Sequence, residues 1–163
     1  MIIQIDIDEL FFVVKEPFKR WQGIVFHCTV NPSLKYAGDR LMGNLVDRSH
    51  KYFKKWNNGM GYHILINGNG LVEVGIRWLY QLIGAHCYSF NSTHIGVAWV
   101  GDGDHESMTP EQMVSLRKIW TLLQGQFGLN RFDFHFHKET GTNKSCPGIL
   151  IDKIKLLDSL LLT

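Results

Sequence analysis

Apolar positions along the chain fall into short runs whose period changes from segment to segment, with polar, glycine-bearing stretches between them. Residues 24–28 form a short apolar run of strand length, which predicts a buried strand. Residues 33–57 are polar, with Leu41, Leu45, Val46 and Phe53 spaced for one or two helices. Residues 62–66 and 71–74 flank Asn67-Gly68-Asn69-Gly70. Asparagine and glycine tolerate positive φ, so this pattern predicts a β-hairpin. Residues 95–100 are another β-rich run, closed by Gly101-Asp102-Gly103.

Thr109-Pro110-Glu111-Gln112 reads as a helix start: Thr109 can cap, Pro110 fits the first helical position, and Gln112 can complete a capping box. Met113, Leu116, Trp120, Leu123 and Phe127 follow at helical spacing, so this helix buries one face. After Gly128 the period drops to two, with Phe132, Phe134 and Phe136 alternating with Asp133, His135 and His137. That pattern predicts a strand with a phenylalanine face and a histidine-bearing face. A last helix is expected over residues 149–161. Strands interleaved with helices, one hairpin among them, predict an α/β fold in which helices flank a central mixed β-sheet.

Composition narrows the class. The 163 residues suit one domain with a sizeable core, and 45% hydrophobic against 20% charged residues is a globular balance. Residues 1–163 are therefore expected to form a single domain, with residues 1–22 an extension of unclear role within it. A formal net charge of +2 does not argue for nucleic acid. No run reaches the roughly 18 apolar residues of a membrane span. Asp6, Asp8 and Glu9 stand where a signal peptide wants basic and then apolar residues, so export by that route is not expected. Cys28, Cys87 and Cys146 are too few, and of the wrong parity, for a disulfide framework.

Candidate chemistry gathers on histidine and cysteine. His27 ends an apolar strand and points away from Phe26; His137 ends another, opposite the phenylalanines; Cys146 follows in the loop before the final helix. Two imidazoles and one thiolate so placed can bind Zn²⁺ and leave a fourth position for water, the arrangement of a catalytic site. His135 shares the strand face with His137 and is the alternative ligand. Cys28 and Cys87, like Trp78 and Trp99, read as packing residues, as does Trp56. His50, His63, His94 and His105 read as structural or solvated.

Five stretches follow one another over residues 23–152: Val25-Phe26-His27-Cys28-Thr29; Gly61-Tyr62-His63-Ile64-Leu65-Ile66 with Val72-Glu73; Gly84-Ala85-His86-Cys87 with Asn91 and residues 95–101; Thr109-Pro110-Glu111-Gln112-Met113; and His137 through Lys144-Ser145-Cys146-Pro147-Gly148. In that order they resemble the type-2 N-acetylmuramoyl-L-alanine amidase family, the group that includes phage T7 lysozyme and the peptidoglycan recognition proteins. The phage branch fits best, because it keeps the His-Cys pair, Gly-Tyr-His and Lys-x-Cys-Pro together.

The resemblance implies one Zn²⁺ per chain, held by His27, His137 and Cys146. It implies Tyr62 as the residue that orients or deprotonates water, Lys144 as the oxyanion partner, and His86 and Asn91 as substrate contacts. The implied reaction is hydrolysis of the amide between N-acetylmuramic acid and L-alanine of bacterial peptidoglycan, by a phage or prophage endolysin. Such a protein is made in the cytoplasm and reaches the wall after holin-type or other release. The expected partner is peptidoglycan, with no nucleic acid and no membrane, and the expected state is a monomer. The alternative is a non-catalytic peptidoglycan-binding or regulatory protein on the same fold, a role family members take after losing the cysteine ligand; Cys146 argues for activity. Two departures stand out. The gap from His137 to Cys146 is one residue longer than usual, so residues 141–143 are expected to bulge, and residues 30–61 are long for the family.

Overall fold

A computed structural model of the chain describes residues 2–30 and 60–161. Six strands, β1 Ile2–Ile5, β2 Gly23–Cys28, β3 Ile64–Ile66, β4 Val72–Gly75, β5 His94–Trp99 and β6 Phe134–Phe136, form one sheet in the order β1-β4-β3-β5-β2-β6. β5 runs parallel to β3 and β2, and β2 parallel to β6; β4 is antiparallel to both β3 and β1. The helices are α1 Ile76–Leu79, α2 Pro110–Phe127 and α3 Lys153–Leu161. The mixed sheet with helices is thus the expected α/β architecture.

The two faces of the sheet differ in chemistry because side chains alternate along each strand. One face presents Ile24, Phe26, Ile64, Val97, Trp99 and Phe134 to α2 and α3, which contribute Leu116, Trp120, Leu123 and Leu157 to the same core. The other face carries His27, Ala98, Leu65 and Glu73 side by side, since His27 is opposite Ala98, Ala98 opposite Leu65, and Leu65 opposite Glu73. Ile2, Met60, Leu65, Ala98 and Val100 make a small apolar cluster on that side.

The predicted turn chemistry holds. β3 and β4 pair as a hairpin closed by Gly70 at φ 81°. Thr109 Oγ1 accepts the Gln112 N–H at 3.1 Å while Gln112 Oε1 accepts the Thr109 N–H at 3.0 Å, so both halves of the capping box form. Such caps contribute about 1 kcal/mol. α2 ends at Gly128, whose φ of 68° is the left-handed conformation that terminates helices.

Three expectations change. The N-terminal segment, given no role from sequence, supplies edge strand β1; its Leu10 is fully buried and its carbonyl accepts Trp78 Nε1–H at 2.7 Å. β6 is only three residues long, because 3-10 turns over Arg131–Asp133 and His137–Glu139 bracket it. Phe132 is consequently 80% exposed rather than part of a phenylalanine face, and His137 opens a turn instead of ending a strand. α3 starts at Lys153, not 149: Asp152 Oδ1 accepts the Lys155 N–H at 3.0 Å, and Ile149 and Leu150 are exposed before it. The helices expected within residues 33–57, and with them His50 and Trp56, lie outside the described residues. Among the described residues no helix is long and apolar enough to cross a membrane.

Candidate metal centre

Parallel strands gather their carboxyl ends on one edge of the sheet, where α/β folds place ligands. His27 lies at that edge of β2, and His137 directly follows β6. Their ring centroids are 4.5 Å apart. Cys146 enters from the following loop, with Sγ 3.7 Å from His27 Nδ1. One nitrogen from each imidazole and the sulfur lie within 4.8 Å of one another, and no other such group of three or more metal-ligating residues occurs among the described residues. His135 is not part of this group. It lies farther back along β6, opposite Val25, against Phe90 and His94 at centroid separations of 5.5 and 5.2 Å.

Local hydrogen bonds hold each of the three in place. The Lys138 N–H donates to the Cys146 carbonyl at 2.7 Å, closing the loop that joins the histidine to the cysteine. Within that loop Gly141 sits at φ 81°, and Thr140 Oγ1 donates to the His137 carbonyl at 2.7 Å, so the chain turns tightly after His137. The Glu139 carboxylate accepts the Phe136 N–H at 2.8 Å and meets Lys153 Nζ at 2.6 Å, fixing the turn from below.

The Cys146 loop is gripped from its other side. Asp104 accepts from Ser145 Oγ at 2.6 Å and from the Ile149 N–H at 2.9 Å, bracketing the cysteine. Gly103 and Gly148 meet backbone to backbone; a Cβ on Gly103 would lie 1.9 Å from the Pro147 carbonyl oxygen. Sequence reading took residues 101–103 only as a strand terminator and missed this clamp. The Gly-Asp-Gly-Asp run was the visible signal.

The electrostatics favour neutral imidazoles. Burial, then His86, His137 and Lys144, holds His27 well below its ordinary value. Burial and Lys144 bring His137 down to about 4. A neutral imidazole keeps the lone pair that a cation needs. The Cys28 thiol beside it and burial push the Cys146 thiol well up. The Cys28 backbone N–H donates to Cys146 Sγ at 3.3 Å, so a donor already faces the charge that metal binding would leave on sulfur.

The remaining expected residues surround this group. Tyr62 is half-buried, its ring centroid 5.1 Å from that of His27, and burial raises its hydroxyl far above the ordinary value. Lys144 is exposed on the rim rather than sequestered, yet near enough to act on both histidines. Asn91 Oδ1 accepts the backbone N–H groups of His86 and Cys87, each at 2.8 Å, and so shapes the loop between α1 and β5. His86 places Nδ1 3.1 Å from His27 Nε2. Cys87 Sγ reaches Thr140 Oγ1 at 3.1 Å, joining this loop to the turn behind His137. Cys28, Trp78 and Trp99 are buried packing residues, as expected; His63 and His94 are buried and His105 is exposed.

The sequence profile of the N-acetylmuramoyl-L-alanine amidase family matches residues 17–149. A peptidoglycan recognition protein of Bombyx mori is 31% identical over 98 residues, 59% of this chain and 48% of that protein. The endolysin of Klebsiella phage KP32 is 36% identical over 109 residues, 64% of this chain and 67% of that protein. The chain spans about half the length of the first curated relatives it matches, 48% and 47% for the first two. Among solved structures, the N-acetylmuramoyl-L-alanine amidase LysC from Clostridium intestinale URNW superposes with a TM-score of 0.71 at 25% identity, covering 90% of this chain and 91% of that one.

Proposed function

The chain belongs to the N-acetylmuramoyl-L-alanine amidase family, and from that premise we propose that it is a zinc-dependent hydrolase of the amide joining N-acetylmuramic acid to L-alanine in peptidoglycan. The observation that carries this reading is the convergence of His27, His137 and Cys146 within 4.8 Å, all inside the stretch that the family profile matches. The likeness to a phage endolysin supports assigning the protein to wall lysis by a phage or prophage, acting on the wall after release from the cell that makes it.

The donor set fits zinc. Two imidazoles and a thiolate are borderline-soft ligands, and three protein ligands leave a coordination position open. Tetrahedral zinc with ordinary bond lengths puts its nitrogen and sulfur ligands about 3.5 Å apart. The 3.7 Å between His27 Nδ1 and Cys146 Sγ is close to that span. Bound zinc would polarise the scissile carbonyl and bring a water's pKa down towards neutrality.

The chain's own side chains would do the rest. Tyr62, kept protonated by burial, orients the attacking water and offers its O–H to the tetrahedral intermediate. Lys144 brings a positive charge to the rim beside Cys146, where it meets the negative charge developing on the carbonyl oxygen. A bound glycan strand would cover this exposed lysine and strengthen that contact. The loop built around His86 and Asn91 forms the substrate-side wall.

The test is direct. Purified protein is assayed for zinc, then incubated with purified peptidoglycan with and without chelator, alongside Cys146→Ser. About one zinc per chain, and new L-alanine amino termini that vanish with chelator and in the variant, are expected. Zinc without new termini would instead favour a binding protein on this fold. Cleavage indifferent to both chelator and the variant would refute the zinc mechanism.

A further inference from the structure

His86 lies deeper than a substrate contact needs to. Its ring is cradled by two glycines: a Cβ on Gly84 would stand 2.3 Å from His86 Cδ2, and one on Gly96 2.4 Å from the same atom. Neither glycine has a positive φ, so close approach to the imidazole is what demands them. Both ring nitrogens are engaged inside the protein, Nε2 at 3.3 Å from the His94 carbonyl oxygen and Nδ1 at 3.1 Å from His27 Nε2.

These contacts fix hydrogens. A carbonyl oxygen only accepts, so His86 Nε2 carries the proton. A hydrogen bond between the two rings needs one donor and one acceptor, and with its one hydrogen on Nε2 a neutral His86 presents Nδ1 as the acceptor. His27 Nε2 must then donate to it, which leaves the lone pair of His27 on Nδ1. Nδ1 is the nitrogen that faces Cys146 Sγ.

We propose that His86 is a positioning residue for the metal ligand His27, setting its tautomer and ring orientation through a chain running from the His94 carbonyl to His86 to His27. The inference rests on the zinc reading above. It moves His86 from the substrate wall to the layer behind the ligands, where partners of this kind raise ligand basicity and hold the ring against rotation.

Zinc affinity measured by competition with a chelator tests it. His86→Ala should weaken zinc binding about 10- to 100-fold. His86→Asn, which returns an acceptor near the Nδ1 position, should recover most of that loss. Gly96→Ala, which crowds the imidazole without changing it, should weaken binding like His86→Ala. Cobalt-substituted wild type and His86→Ala should differ in visible spectrum, because the ligand geometry differs. Unchanged affinity in all variants, with only a raised KM for peptidoglycan fragments in His86→Ala, would overturn the proposal and restore a substrate role. Ring nitrogen shifts from ¹⁵N NMR of the unaltered protein need no variant: Nε2–H on both His86 and His27 is expected, and Nδ1–H on His27 refutes the chain. A wild type that takes up no zinc overturns the proposed function itself, a result separable from all of these.

Discussion

Two of the histidine pairs that meet among the described residues are not equivalent. At the carboxyl end of the parallel strands His27 and His137 lie 4.5 Å apart between ring centroids, with Cys146 beside them and a hydrogen-bonded His86 behind. Elsewhere on β5 and β6, His94 and His135 face each other at 5.2 Å, but their neighbours are Phe90 and Thr93, with Thr93 Oγ1 2.8 Å from His94 Nδ1. Proximity of imidazoles is common to both. What separates them is a third, softer donor delivered by a clamped loop, and a backing residue that leaves the ligand nitrogen free. A pair of histidines becomes a candidate metal site through what surrounds it.

The largest effects should come from removing that third donor. Cys146→Ser is expected to lose stoichiometric zinc and to lower hydrolysis by more than about 100-fold, beyond the loss typical of a residue behind the ligands. Next, His137→Ala should behave like Cys146→Ser, whereas His135→Ala should keep its zinc and stay within about threefold of the unaltered activity. Zinc analysis of the two variants side by side decides whether the pairs really differ. If His135→Ala also empties the protein, the distinction fails.

A smaller effect should follow from loosening the clamp. Gly103→Ala forces a methyl group onto the Pro147 carbonyl, so a destabilisation of about 1–3 kcal/mol is expected, with zinc affinity falling beside it. Thermal melts and chelator competition on one preparation measure both. Stability unchanged at full zinc affinity would mean the loop tolerates movement.

The most gradual expected effect is a pH dependence that both pairs share with buried His63. His63 is held at about 3, and His94 and His137 at about 4, in each case first by burial. The unfolded chain takes up these protons near 6.5 and the folded one resists them, so the contribution is complete above about pH 6.5 and drains as pH falls towards 4. Zinc-free protein should lose Tm steadily between pH 7 and 5, which thermal melts at a series of pH values measure. His94→Asn should flatten part of that slope while leaving zinc uptake intact, which again separates one pair from the other.

Much of the site was legible in the chain, and the reason is local. The Asn67–Gly70 turn and the Thr109–Gln112 box are complete within a few residues, so their chemistry reads directly. The three candidate ligands are not local, and resemblance in register, rather than spacing, ties His27 to His137 and Cys146. What escaped depends on pairing across the fold. Residues 2–5 acquire their role as an edge strand only beside β4. Asp104 looks like a turn residue until the Ser145 hydroxyl and Ile149 amide arrive from 41 and 45 residues away. His86 looked like a surface contact because no sequence shows that Gly96, on another strand, has been cleared to admit its ring. The overlong phenylalanine strand differs for the opposite reason: Asp133 Oδ2 accepts the Asn130 N–H, Asn130 Oδ1 accepts the Phe132 N–H, and this local turn overrides the alternation.

That truncation has a use of its own. β6 stands at one end of the strand order, where unpaired N–H and carbonyl groups invite another chain to add itself. A regular strand from Phe132 to His137 would have offered a long, flat, aromatic ledge of the kind that nucleates fibrils. Three residues between two tight turns offer almost nothing to pair with. His137 lies one position beyond the last β2–β6 pair, next to His27, while His135 sits two positions back beside Val25. A residue swap that straightened the Asn130 turn would therefore threaten solubility before it touched chemistry.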